Sequence, residues 1–148
     1  MIGPPAVRPS SQMLRPMPIV TALTAAVLAL LQIKLALNVI VLRRRHRIGI
    51  GDGGDEMLER AVRVHGNAAE YIPIALILLG CLELIGGPRW LLVPLALGFT
   101  VGRVLHARGV ASATSPLRDR VIGMHLTLWS IVALAVLNIL QVVRLAFG

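Results

Sequence analysis

The sequence predicts an all-α fold, an integral membrane bundle of four spanning helices, on three observations. The 148-residue chain is 56% hydrophobic with only 3% aromatic residues and has a mean hydropathy of +0.79, too apolar for an ordinary soluble domain. The apolar residues gather into four stretches, Pro18–Leu42, Tyr71–Ile85, Trp90–Ala107 and Val121–Phe147, and a spanning helix needs about 20 such residues. Between them lie segments rich in glycine, proline and arginine, which stop helices and favour the headgroup region.

Residues 1–17, MIGPPAVRPSSQMLRPM, are proline-rich and read as a disordered arm. Residues 18–148 then form one four-helix domain. The first helix is predicted from Pro18 to Arg45. It is too long for the apolar core of a signal peptide and ends in RRRHR rather than in a small-residue cleavage site, so it reads as a retained span. It carries Gln32, Lys34 and Asn38 at depth. Polar groups there face a partner helix or a cavity, and Lys34 and Asn38, four residues apart, share a face.

The loop IGIGDGGD follows, in which Asp52 or Asp55 can cap the next helix. No Gly-Lys-Ser or Gly-Lys-Thr accompanies these glycines, so the loop is not a phosphate cradle. The second helix is predicted over Asp55–Ile85, about 45 Å at 1.5 Å per residue. This exceeds the hydrocarbon thickness of about 30 Å, so its first turns stand at headgroup level. GGP at 86–88 ends it. The third helix is predicted over Pro88–Arg108, with Pro94 in its second turn. After GVASATSP, Ser115 as N-cap and Pro116 as first helical residue start a fourth helix reaching Phe147. Cys81 is the only cysteine, which excludes an intrachain disulfide. Its apolar surroundings predict a buried small hydrophobe.

The net charge of +8 reads as orientation, because Lys and Arg mark cytoplasmic loops. Arg43, Arg44, Arg45, Arg47, Arg60 and Arg63 surround the first loop, and Arg103, Arg108, Arg118 and Arg120 the third. Both loops are therefore expected on the cytoplasmic side of a bacterial inner membrane. RRRHR there suits anionic lipid headgroups, and nucleic acid is not the expected partner.

The residues that carry chemistry lie on the second helix. At about 100° per residue, Glu59, Glu70, Arg63, Asn67, Arg60 and Tyr71 fall within about 120° of one another, while His65 falls opposite and is set aside. Glu59–Arg63 and Arg63–Asn67 are i,i+4 pairs. Such a stripe can be a self-satisfied ladder that only staples helices together. Against that reading, it continues to Glu70, well inside the apolar part, and other helices supply matching groups at its level. Arg103 and His106 lie three apart on the third helix. On the fourth, Arg118, His125 and Trp129 share a face from which Arg120 is expected to point away.

The segment ERAVRVHGNAAEYIP, followed by a GR-x-x-H-A segment, resembles the MAPEG family of membrane-associated proteins in eicosanoid and glutathione metabolism. The matching residues are Glu59, Arg60, Arg63, Asn67, Glu70, Tyr71 and Pro73, and the four-span layout extends the likeness over residues 18–147. The resemblance implies a homotrimer in the lipid bilayer that binds glutathione between protomers near the cytoplasmic face. It assigns Arg63, Asn67, Glu70, Tyr71 and Arg103 to glutathione, with Arg43 or Arg44 from the end of the first helix. It places a thiolate-stabilising arginine at the start of the fourth helix, where Arg118 is the first candidate and Arg120 the second.

Guanidinium forks suit glutathione's carboxylates, and Glu70 suits its ammonium. The expected function is glutathione transfer to a lipophilic small molecule, or peroxide reduction. Non-catalytic binding of glutathione or lipid on the same fold is the alternative. A transporter ranks last, because the chain shows no inverted repeat or broken helix. Where eicosanoid-making members carry tyrosines on the third helix, this chain has His106 and Val110, so no eicosanoid substrate is inferred.

Overall fold

The computed structural model describes residues 17–111 and 114–148 and contains helices α1 (Ile19–His46), α2 (Glu56–Leu84), α3 (Arg89–Val110) and α4 (Leu117–Phe147). The expected disorder of the N-terminal arm falls almost wholly outside the described residues. All four helices are long and apolar enough to cross a membrane, and the described residues contain no strand.

The ends of the helices follow from local chemistry. Asp55, not Asp52, caps α2: its Oδ1 accepts a hydrogen bond from the Leu58 N–H at 2.7 Å. Its Oδ2 lies 2.7 Å from His46 Nδ1, which ties the end of α1 to the start of α2. Gly86 adopts φ +83°, and the Gly87 N–H reaches back to the Leu82 carbonyl at 2.8 Å. This reversed final turn favours glycine because L side chains crowd the backbone in the left-handed region. Helix α4 departs from expectation by one residue: Pro116 occupies the N-cap and the first helical residue is Leu117.

Helix α2 is the central element. Its Ala68, Ile72 and Ala75 pack with Leu28 of α1 and Phe99 of α3. Leu79 and Leu82 pack with Leu92, Ala96 and Leu134, and Leu58 and Ala61 with Leu42. Polar groups pin the end of the bundle away from loops one and three. The buried Glu83 carboxylate accepts from the N–H groups of Val20 and Thr21 and from Thr21 Oγ1, at 2.9, 2.8 and 2.7 Å. It thus caps α1 from a neighbouring helix, where exposed N–H groups favour a negative charge. Gln141 Nε2 donates to the Ile85 carbonyl and Asn138 Nδ2 to that of Leu78. Cys81 is exposed on the outer face of α2, so its apolar sequence context signalled lipid rather than core.

Helices α3 and α4 make the closest crossing. A Cβ placed on Gly102 would lie 2.9 Å from the Gly123 carbonyl oxygen, and one on Gly109 or Gly123 would overlap the backbone of Arg120 or His106. Small residues let membrane helices approach this closely and gain packing where hydrocarbon supplies no hydrophobic drive. This contact fixes where the first turns of α4 sit relative to α2.

Candidate functional site

Loops one and three leave the bundle at one end, and there α2, α3 and α4 enclose a groove of about 970 Å³. Helix α2 contributes Glu56, Glu59, Arg60, Arg63, Asn67 and Glu70. Helix α3 contributes His106 and Val110, and α4 contributes Arg120, Val121, Met124, His125 and Leu128. Gly66 also lines the groove, and its missing side chain widens it between Arg63 and Asn67. The α2 wall is therefore charged, and the opposite wall mixes Val110, Val121, Met124 and Leu128 with His106, Arg120 and His125.

The charged wall is not a closed ladder. Glu59 pairs with Arg63 at 3.6 Å and Glu56 with Arg60 at 3.7 Å. These are exposed i,i+4 contacts of the kind that stabilise a protein by about 0.5 kcal/mol. Asn67, expected beside Arg63, turns instead toward α3, and its Oδ1 accepts from Arg103 Nη2 at 2.8 Å. Glu70 forms no hydrogen bond or ion pair among the described residues and is exposed on the groove.

Behind the groove sits Arg103, only 1% exposed. Its guanidinium carbon lies 5.7 Å from the centre of the Tyr71 ring, within cation–π range. Its Nε and Nη1 are buried without a hydrogen-bond partner, as is Nδ1 of His106 one turn further along α3. A buried guanidinium normally satisfies its donors, since each one left unmade is costly. Arg103 thus holds unmatched donors next to a groove that already carries an amide and a carboxylate.

The structure brings Arg63, Asn67 and Glu70 together on the groove and places Tyr71 and Arg103 directly behind it. Arg43 and Arg44 lie elsewhere: with Arg47 and Gly49 they line a separate depression of about 390 Å³, where Arg43 Nη1 donates to the Gly49 carbonyl at 3.1 Å. Arg118 is exposed and does not line the groove. Arg120 does line it, the reverse of what the helical phase of α4 suggested. The signal that locates Arg120 is the buried set Gly123, Thr127, Ser130 and Leu134, which marks the inner side of α4. Arg120 lies one turn before Gly123 on that side, whereas Trp129, assigned with Arg118 to one face, is 67% exposed. His106, expected on one face with Arg103 but not assigned to the ligand, also belongs to the lining. Among the described residues no cluster of His, Cys, Asp and Glu could hold a metal ion.

Comparison with known proteins identifies the family. The family described as the MAPEG family matches residues 21–140. The inner membrane protein YecN of Escherichia coli K12 is 41% identical over 90 residues, which cover 61% of this chain and 69% of YecN. YecN of E. coli O6:H1 (strain CFT073) gives the same values.

Proposed function

The chain belongs to the MAPEG family, and from that premise we propose that it is a glutathione-dependent membrane enzyme acting on lipophilic electrophiles. The observation that carries this reading is the buried Arg103, with two unmatched nitrogens, set behind a wall of Arg63, Asn67 and Glu70. Glutathione brings two carboxylates, an ammonium and a thiol. Arg63 and Arg103 suit the carboxylates, because planar guanidinium forks match their two oxygens. Glu70 suits the ammonium, and Asn67, whose oxygen Arg103 already holds, keeps its amide N–H groups for the ligand. The apolar side chains of Val121, Met124 and Leu128 suit a second substrate that arrives through lipid.

The chemistry is thiolate formation followed by nucleophilic attack. A free thiol with a pKa near 8.5 is only a few per cent ionised at neutral pH. A guanidinium close to sulfur stabilises the anion and raises that fraction. Arg120 is the arginine that borders the groove and takes this role in the proposal. The thiol proton leaves to solvent, sulfur bonds to the electrophilic carbon, and the leaving group departs with its electron pair. Assembly as a homotrimer, and a groove facing the cytoplasm, which the arginine distribution supports, belong to the same reading.

Binding without turnover is the second reading, favoured by the solvent exposure of Arg120, which leaves water to screen its charge. Calorimetric titration of the detergent-solubilised protein with glutathione, paired with a conjugation assay on a chloronitroarene, separates the two. Binding with conjugation supports the enzyme, and binding without conjugation across several electrophiles supports the second reading. Absence of binding, or binding that survives Arg63→Ala unchanged, rejects the proposed site.

A further inference from the structure

Helix α1 ends in a basic cluster that the groove does not use. Arg43, Arg44 and Arg47 line the separate depression of about 390 Å³, together with Ile40, Ile48 and Gly49. No carboxylate among the described residues lines it. The two acidic residues of the following loop are engaged elsewhere. Asp52 Oδ1 accepts from the Gly54 N–H at 3.0 Å, and Asp55 accepts from the Leu58 N–H and contacts His46. Arg44 and Arg47 are exposed and pair with no carboxylate among the described residues. Three guanidinium groups therefore converge on one hollow that holds no counter-charge of the chain's own.

The backbone around the hollow admits an anion. Free carbonyls at a helix C-terminus would repel one, but those of Arg43 and Arg44 accept from the N–H groups of Ile48 and Arg47, at 3.0 and 3.4 Å. The turn that achieves this puts Arg47 at φ 57°, a left-handed position where glycine is the usual residue. The chain keeps a side chain there, and that side chain lines the hollow. The bond from Arg43 Nη1 to the Gly49 carbonyl holds the opposite rim.

The helix surface that leads to the hollow suits hydrocarbon. Ile33, Leu37, Ile40 and Arg44 follow at spacings of four, three and four residues, so they share a face. Ile33, Leu37 and Ile40 are all exposed. They form an apolar track that ends at Arg44, where the apolar run of α1 stops and headgroup level begins. A free phosphate would use the hollow alone, whereas a phospholipid uses hollow and track together. We propose that this end of α1 is a binding site for one anionic phospholipid, with its phosphate and glycerol among Arg43, Arg44 and Arg47 and one acyl chain along Ile40, Leu37 and Ile33. Phosphate oxygens match guanidinium forks, and an anionic leaflet attracts arginines placed just beyond a spanning segment. The site stands apart from the glutathione chemistry and does not depend on it.

The test counts lipids retained by the full chain in native mass spectrometry, after titration in detergent with equal amounts of dioleoyl phosphatidylglycerol and dioleoyl phosphatidylcholine. One tightly held phosphatidylglycerol per chain is expected in preference to phosphatidylcholine. Arg44→Gln and Arg47→Gln should each weaken that adduct about fivefold. Leu37→Gln should weaken it too, and Arg45→Gln, outside the hollow, should leave it within about twofold of the parent. Glycerol phosphate and glutathione, each added at the lipid's concentration, should leave the adduct in place. A second measurement needs no variant: a phosphatidylglycerol with a photoreactive acyl chain, incorporated with the unaltered chain into nanodiscs, should label α1 between Ile33 and Ile48. Absence of a preference for the anionic lipid, an equal loss in Arg45→Gln, or label confined to other helices overturns the site. Displacement by glycerol phosphate overturns the lipid in favour of a simple phosphate site, and displacement by glutathione assigns the hollow to the thiol ligand instead.

Discussion

Arg103 of α3 donates from Nη2 to Asn67 Oδ1 of α2 across 2.8 Å, and this bond sets the chemistry of the groove wall. It fixes the Asn67 amide with its N–H side free and holds the guanidinium against Tyr71. A change at Asn67 therefore acts on Arg103 first. Asn67→Leu should leave one more buried donor unmatched and destabilise the protein by about 1–3 kcal/mol. Asn67→Asp should instead pair the guanidinium with a carboxylate, raising the melting temperature while weakening glutathione binding, because the new anion competes with the ligand's. Thermal unfolding in detergent and calorimetry on the same two variants check both halves.

The two arginines at the start of α4 should behave differently. Arg120→Ala should lower conjugation turnover about 10²-fold, the usual effect of removing one group that stabilises developing charge. Arg118→Ala, exposed and outside the groove, should stay within about twofold of the parent. Turnover at saturating glutathione for both variants decides the assignment, and equal losses would contradict it.

Glu83 should matter to stability and not to chemistry. Glu83→Ala leaves the N–H groups of Val20 and Thr21 without their acceptor, and a buried donor left unmade costs about 1–3 kcal/mol. A total near 3 kcal/mol is expected, visible as a lower melting temperature with unchanged glutathione affinity per folded molecule.

The Asp55 cap gives a pH dependence whose sign is fixed. The Leu58 N–H, helped by His46, holds the Asp55 carboxyl below its ordinary value of 3.8. A lowered pKa stabilises the fold while the group is ionised. The contribution is complete above about pH 3.8 and is lost as the pH falls through the lower folded value. Asp55→Asn should be less stable than the parent at neutral pH, and the gap should narrow in acid. Melting curves of parent and variant from pH 3 to 7 measure it.

Much of this molecule is legible in the sequence, for identifiable reasons. Spanning helices need long apolar runs, so α1 to α4 show themselves, and the Glu59-to-Tyr71 stripe shows itself because charged groups beside such runs need a partner. What stays hidden depends on how helices pack. Arg118 and Arg120 differ by two residues, and only the seating of Gly123 against α3 selects which one reaches the groove. Cys81 sits among apolar neighbours whether it faces core or lipid, so composition cannot place it. The partner of Asn67 is 36 residues away, while wheel geometry registers only neighbours within one helix. Glu83 reads as an ordinary helix-end acid because its partners lie more than 60 residues upstream.

That long-range tie at Glu83 constrains biogenesis. A nascent α2 threading into the bilayer by itself would carry an ionised side chain to the far leaflet with nothing to receive it. With α1 already alongside, the carboxylate docks on waiting amides as it arrives. Insertion of the first two segments as a pair would satisfy both partners at once, and in the folded protein the tie latches α1 and α2 in alignment at their distal ends.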